Sequence, residues 1–190
     1  MRYGAKMLQW APITEEAADA LPSYGTPVNL GALNKVTDSP VFNEAKGHGD
    51  NALTVHVNEF KECGIDAEVN ELSNENAAAV FGAALDAEGE GDLAFGVEDN
   101  APYGGLAFFI NKMLKGNKKV YQGIFYPKVK AAMQGEEYST KGDSIVLAND
   151  KIHFLAAAPN AGKWKYKSKD FDTEAEAIAW VNGKVKAAAT

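Results

Sequence analysis

Several things are scarce in this chain, and each scarcity excludes something. There is one cysteine, Cys63, which rules out an internal disulfide framework and a cysteine-rich zinc site. The three histidines, His48, His56 and His153, stand at no metal-ligand spacing from one another. No apolar run approaches the ~18 residues that span a bilayer. No basic stretch leading into an apolar one opens the chain. These features predict a soluble protein, not classically secreted, made in a reducing cytoplasm. Bases are outnumbered, 19 Lys and Arg against 26 Asp and Glu, for a net charge of −7. That balance argues against sequence-blind binding along a nucleic acid backbone, which needs a basic surface. What remains is ordinary for a globular domain: 190 residues, 46% hydrophobic and 24% charged. The length predicts one domain with a core of its own.

The charge is unevenly spread. Twelve carboxylates and one base, Lys61, lie between Glu59 and Asp99, a net −11; six lysines and no acid lie between Ile110 and Lys130, a net +6. Segregation of this kind is compatible with head-to-tail self-association, though charge alone favours the plainer reading of two unrelated solvated faces. Met1 to Leu33 has weak periodicity and is broken by Pro12, Pro22 and Pro27, which predicts an extended arm with short strands. Asp38 to Asn51 reads as a long loop by composition. From Leu53 the period is two. Leu53, Val55 and Val57 share one face, and after Asn58-Glu59-Phe60 a second strand alternates Cys63, Ile65, Ala67 and Val69 against Glu62, Asp66 and Glu68. This predicts a half-buried hairpin with an acidic wet face and Cys63 as an inert buried thiol.

A helix is expected from Asn74 to Leu85, capped by Ser73 or Asn74. The strongest hairpin runs from LAFFINKML through Lys115-Gly116-Asn117 to KVYQGIFYPKVK, with Gly123 a candidate bulge and Pro127 an edge or bend. A further hairpin joins Ser144–Leu147 to Lys151–Leu155, and a last strand alternates Trp164 and Tyr166 with lysines. Thr173 with Glu176 forms a capping box for a terminal helix over 173–187. Many short strands with two helices make the fold class mainly β, or α+β.

Motifs for chemistry are absent. No serine sits in a nucleophile elbow, and neither Gly47-His48-Gly49 nor Gly89-Glu90-Gly91 has the lysine of a phosphate loop. The acids from Asp86 to Asp92 miss the spacing of a calcium loop. Glu98-Asp99 and Glu136-Glu137 read as solvated turns. No catalytic residue, metal site or cofactor is expected.

YGGLAFF followed by YQGIFYPKVKAAMQGEEYSTKGDSIVL, with LNKVTDSPVFNEAKGHGDN and VNEFKEC upstream, resembles the major tail protein, or tail tube protein, of long-tailed bacteriophages of Gram-positive bacteria. RYGAKMLQWAP and GKWKYKSKDFDTEAEAIAWVN at the two ends fit the same family, so the resemblance covers the chain. It implies a non-enzymatic subunit with a β-sandwich or barrel-like fold and a flanking helix. Such subunits form hexameric rings that stack into a hollow tube carrying DNA from capsid to host. The expected partners are copies of the chain and other tail proteins (tape measure, tail terminator, distal tail). DNA passes without specific binding, no membrane is engaged, and the protein resides in the virion after assembly in the host cytoplasm.

Laid on this sequence, the resemblance makes residues 38–51 the long stacking loop, with Pro40, Val41, Phe42, Asn43, Lys46, His48 and Asp50 its contact residues and Phe42 its anchor. Glu62, Asp66 and Glu68 become the candidate lumen-facing residues, since an acidic wall repels phosphates; outward-facing or neighbour-paired carboxylates are the other reading. Lys112, Lys115, Lys118, Lys119, Lys128 and Lys130 become a basic hairpin facing an adjacent subunit or the outside. Two alternatives stay open. One is a carbohydrate- or surface-binding β-sandwich with Trp164, Tyr166 and Tyr126 as an aromatic platform. The other is a single-ring tail terminator or connector.

Overall fold

The computed structural model describes residues 1–49, 52–85, 91–136 and 148–186. In chain order they form β1 (Arg2–Glu15), β2 (Ser23–Tyr24), β3 (Val28–Asn29), β4 (Leu33–Gly49), β5 (Ala52–Val69), α1 (Asn74–Phe81), β6 (Ala84–Leu85), β7 (Leu93–Ala94), β8 (Tyr103–Met113), β9 (Lys119–Ala132), β10 (Asp150–Ala156), β11 (Tyr166–Phe171) and α2 (Glu174–Lys184). The protein is mainly β. One large sheet runs β2-β1-β8-β9-β10-β5-β4, with β3 on β1 and β11 on β9, while β6 and β7 pair apart from it. Every pairing is antiparallel.

The expected β8–β9 hairpin is the centre of this sheet. It turns through Gly116 and Asn117, both left-handed, as a tight turn between long strands requires. The apolar run of β8 is buried on both faces. Leu106, Phe108 and Ile110 point into an inner core with Ile124, Tyr126 and Val129 of β9. Ala107 and Phe109 point the other way, joining Tyr121 and Phe125 beneath α2. The sheet curls, so Leu8 and Trp10 of β1, Ile65 and Val69 of β5, and Ile152 and Phe154 of β10 share that inner core. Burying each such side chain is worth about 1.5–3 kcal/mol.

Gly123 and Pro127 have specific uses here. A Cβ on Gly123 would collide with the Trp180 ring, so this glycine lets α2 lie close on the sheet. The bulge lies across from it, in β11 between Lys167 and Asp170. Pro127 is not at an edge. It sits in the middle of β9, where two β8 steps face three of β9. On its other side β9 leaves β11 after Phe125 and meets β10 only at Val129. The missing N–H therefore falls in a gap of the ladder, and the Pro127 carbonyl accepts the Tyr24 hydroxyl at 2.8 Å.

Four expectations are corrected. The first 33 residues are not an arm: β1 is an interior strand paired along β8, with Leu8, Trp10 and Ala11 buried. Its period is hidden by bulges at Tyr3/Ala5 and Lys6/Gln9, with Gly4 and Met7 left-handed. Residues 38–49 are not loop but most of β4, an edge strand on which Pro40, glycines and charges are tolerated because one row of backbone groups is unpaired. Asp50 and Asn51 lie outside the described residues. No turn breaks the chain at Asn58–Phe60: β5 is continuous, and its hairpin partner is β4. The helix expected to Leu85 stops at Phe81, because Gly82 is left-handed and donates to Ala78 as a C-cap.

Ser73 caps α1, accepting from Asn76. Thr173 and Glu176 form the expected capping box on α2, whose Ala177 and Val181 are buried. Lys151–Leu155 lies in β10; Ser144–Leu147, Glu137 and Glu88–Glu90 lie outside the described residues.

Candidate assembly surfaces

The β4–β5 hairpin outruns the sheet. Among the described residues β5 is paired to β10 only from Cys63 to Val69, and from Val41 to Gly49 and Ala52 to Glu62 the two strands pair only with each other. A register shift at Val41/Phe42 leaves Lys61 as an extra residue in β5. The bulge changes which face each residue occupies. Below it Cys63 and Ile65 point into the core; above it Phe60 packs against that core instead. Val55 and Val57 share parity with the core residues, yet they emerge into solvent at 54% and 42% exposure. That corrects the apolar face expected of Leu53, Val55 and Val57. The side chain of Leu53 is outside what is described, as is that of His48.

Phe60 anchors the base of the arm. Its ring stacks on Trp164 at 4.4 Å and 5°, and the Phe42 ring meets it edge-on at 6.0 Å. Phe42 nonetheless remains 42% exposed, and Val41 beside it 44%. Further out, Glu44 lies 3.6 Å from Lys46 and 3.7 Å from His56 across the ribbon. Asn43 stands exposed opposite Glu59, and Pro40 lies opposite Cys63 at the base. The residues assigned to a stacking loop therefore lie on a two-stranded ribbon, except Asp50, which is outside the described residues.

Glu62, Asp66 and Glu68 do share the outward face of β5, opposite buried Cys63, Ile65, Ala67 and Val69. They are not a bare acidic wall. His153 Nδ1 lies 2.7 Å from Asp66, which also accepts from Gln134 at 3.0 Å. Glu68 is flanked by Lys35 of β4 and Lys151 of β10, and Glu62 lies 3.4 Å from Lys61. Sequence reasoning named Lys61 but missed Lys35, Lys151 and His153, because these come from strands on either side and only the register brings them there. The sheet presents a charge-alternating face, with the exposed valines of the arm continuing it.

The lysine-rich hairpin divides into two ends. At the turn, Lys112 pairs with Asp170 at 2.5 Å and Lys118 with Asp172 at 2.8 Å, Lys119 lies over the Tyr121 ring, and Lys115 is exposed. At the far end, Lys128 pairs with Glu16 at 2.7 Å, and Lys130 donates to Asn100 at 2.6 Å. The Lys128 ammonium, working against burial, holds Glu16 below the usual carboxylate range. Much of the basic charge that looks unpaired in the sequence is thus met by acids distant along the same chain.

The aromatic platform is not assembled. Tyr126 is buried in the inner core, whereas Tyr166 packs with the opposite cluster beneath α2. Glu98 and Asp99 form a turn, with Asp99 accepting from the Gly96 amide at 2.7 Å. Cys63 is buried, and desolvation raises its thiol pKa. Among the described residues no three His, Cys, Asp or Glu converge as metal ligands would, and no helix is long and apolar enough to cross a membrane. No protein-family model matches the chain, and no curated protein matches it.

Proposed function

We propose that this chain is a structural subunit that assembles with copies of itself, as the tail tube protein of a long-tailed bacteriophage. The observation that carries the reading is the β4–β5 arm. Among the described residues it is a two-stranded ribbon that pairs with no further strand along the β4 edge, with Val41, Phe42, Val55 and Val57 exposed. An isolated ribbon of this kind is marginal in water, and an unpaired strand edge with Val41 and Phe42 exposed on it offers a place for another chain. Contact with a neighbouring copy supplies the missing cover. The curled, mainly β sheet with α2 on one face is compatible with the barrel-like fold of such subunits.

On this reading the work is done by geometry and electrostatics, with no catalytic group and no cofactor. The chain is negative overall, and the Glu62–Asp66–Glu68 face alternates with cations. A wall of that kind holds phosphates less tightly than a basic one, so DNA slides past it. The other tail proteins of the family are the proposed partners at the ends of the stack.

Negative-stain electron microscopy of the purified chain across a concentration series tests the proposal. Hollow tubes or stacked rings are the expected result. Single rings that never stack would replace the tube with a terminator or connector. Dispersed monomers at every concentration, even with tail-tip proteins added as a nucleus, would overturn it.

A further inference from the structure

The curled sheet stays open between the start of β1 and the first half of β4. A cleft of about 270 Å³ lies there, reaching the inner face of β8 and β9. Its apolar lining includes Phe108, Ile110 and Ile124, and its cations include Arg2, Lys35 and Lys167. Lys35 stands opposite Glu68 on the outward face of the sheet, whereas Arg2 and Lys167 have no carboxylate within ion-pairing distance among the described residues. The one acid lining the cleft is already engaged: Asp38 takes the Lys165 ammonium and, at 3.0 Å, the Tyr126 hydroxyl. Burial would raise the Asp38 pKa, but these two partners outweigh it and hold the group ionised.

Two cations without an ion pair beside an apolar pocket stand out in a chain of net charge −7. Lys165 first, then burial and Arg2, hold the Lys167 amine below its ordinary value, against the opposite pull of Asp38. The backbone is bent beside this site. Gly4 is left-handed at φ 60 and lines the cleft, and the bulge at Tyr3/Ala5 and left-handed Met7 at φ 61 flank it. A non-glycine residue in that region stores strain of the kind that collects at binding sites.

We propose that the cleft binds a small amphipathic anion, its charged head between Arg2 and Lys167 and its apolar body on Phe108, Ile110 and Ile124. The head supplies the missing counter-charge, and the body covers apolar surface that the open seam leaves wet. The inference is independent of self-assembly, since it concerns a free ligand in a pocket within one chain.

Octanoate binding to the full chain by isothermal titration calorimetry at low salt is the test, with octanol and inorganic phosphate as comparators. Octanoate is expected to bind saturably and more tightly than either. Arg2→Gln and Lys167→Gln, both at exposed positions, are each expected to weaken it about tenfold, the usual worth of a charged hydrogen bond. Lys115→Gln, at the distant turn, is expected to leave it unchanged. Four results would overturn the proposal: no saturable octanoate binding, equal binding by octanol, equal binding by phosphate, or loss on Lys115→Gln matching that at the cleft.

Discussion

The molecule contains two long antiparallel hairpins, and they are treated oppositely. β8–β9 has the inner core on one side and α2 on the other, so its apolar residues are buried whichever way they point. β4–β5 has comparable backbone pairing, but among the described residues its outer half pairs with no further strand and leaves Val41, Phe42, Val55 and Val57 exposed. Backbone ladders alone do not distinguish them. The difference is side-chain burial, which supplies most of the favourable free energy of a sheet. One hairpin is stabilised within the chain, and the other is left for a second chain to cover.

The largest expected effect breaks the comparison at the core. Phe125→Ala should cost about 3–5 kcal/mol, whereas Val57→Ala should cost under about 0.5. Urea unfolding of the two variants at equal, low protein concentration checks this, and equal losses would show that the arm is not an independent, uncovered element. Gly123→Ala comes next, at about 1–3 kcal/mol, because a new methyl meets the Trp180 ring. A double-mutant cycle with Trp180→Ala should then give a coupling above about 0.5 kcal/mol. Thr173→Ala removes the capping box of α2 and should cost about 1 kcal/mol by thermal unfolding.

The smallest effect is in acid. Glu16 has its pKa depressed in the folded state by Lys128, so its contribution is present above the unfolded value and is lost as pH falls below about 4. Lys128→Met should flatten the acid limb of a stability-versus-pH curve by about 1 kcal/mol or less.

The central hairpin was legible because its apolar positions run unbroken between glycines and a lysine-rich turn, so no register had to be known. The caps were legible for the same reason: Ser73 with Asn76, and Thr173 with Glu176, are short-range signals. β1 and the arm were not. Met7 and Gly4 adopt left-handed backbone that a periodicity count does not register, and Lys61 shifts the face of every residue beyond it. The six lysines misled in another way, since Glu16, Asp170 and Asp172 lie far from them along the chain. The candidate surfaces were therefore located by composition, but which side chains share a face came only from pairing.

Hydrogen exchange of the arm amides, residues 41–46 and 55–60, in dilute and in concentrated protein tests the central claim most directly. On assembly these amides should become protected by at least about tenfold, while those of β8 and β9 stay slow throughout. Rings or tubes in which the arm exchanges as fast as in the dilute chain would contradict it, because the ribbon would then be uncovered in the assembled state.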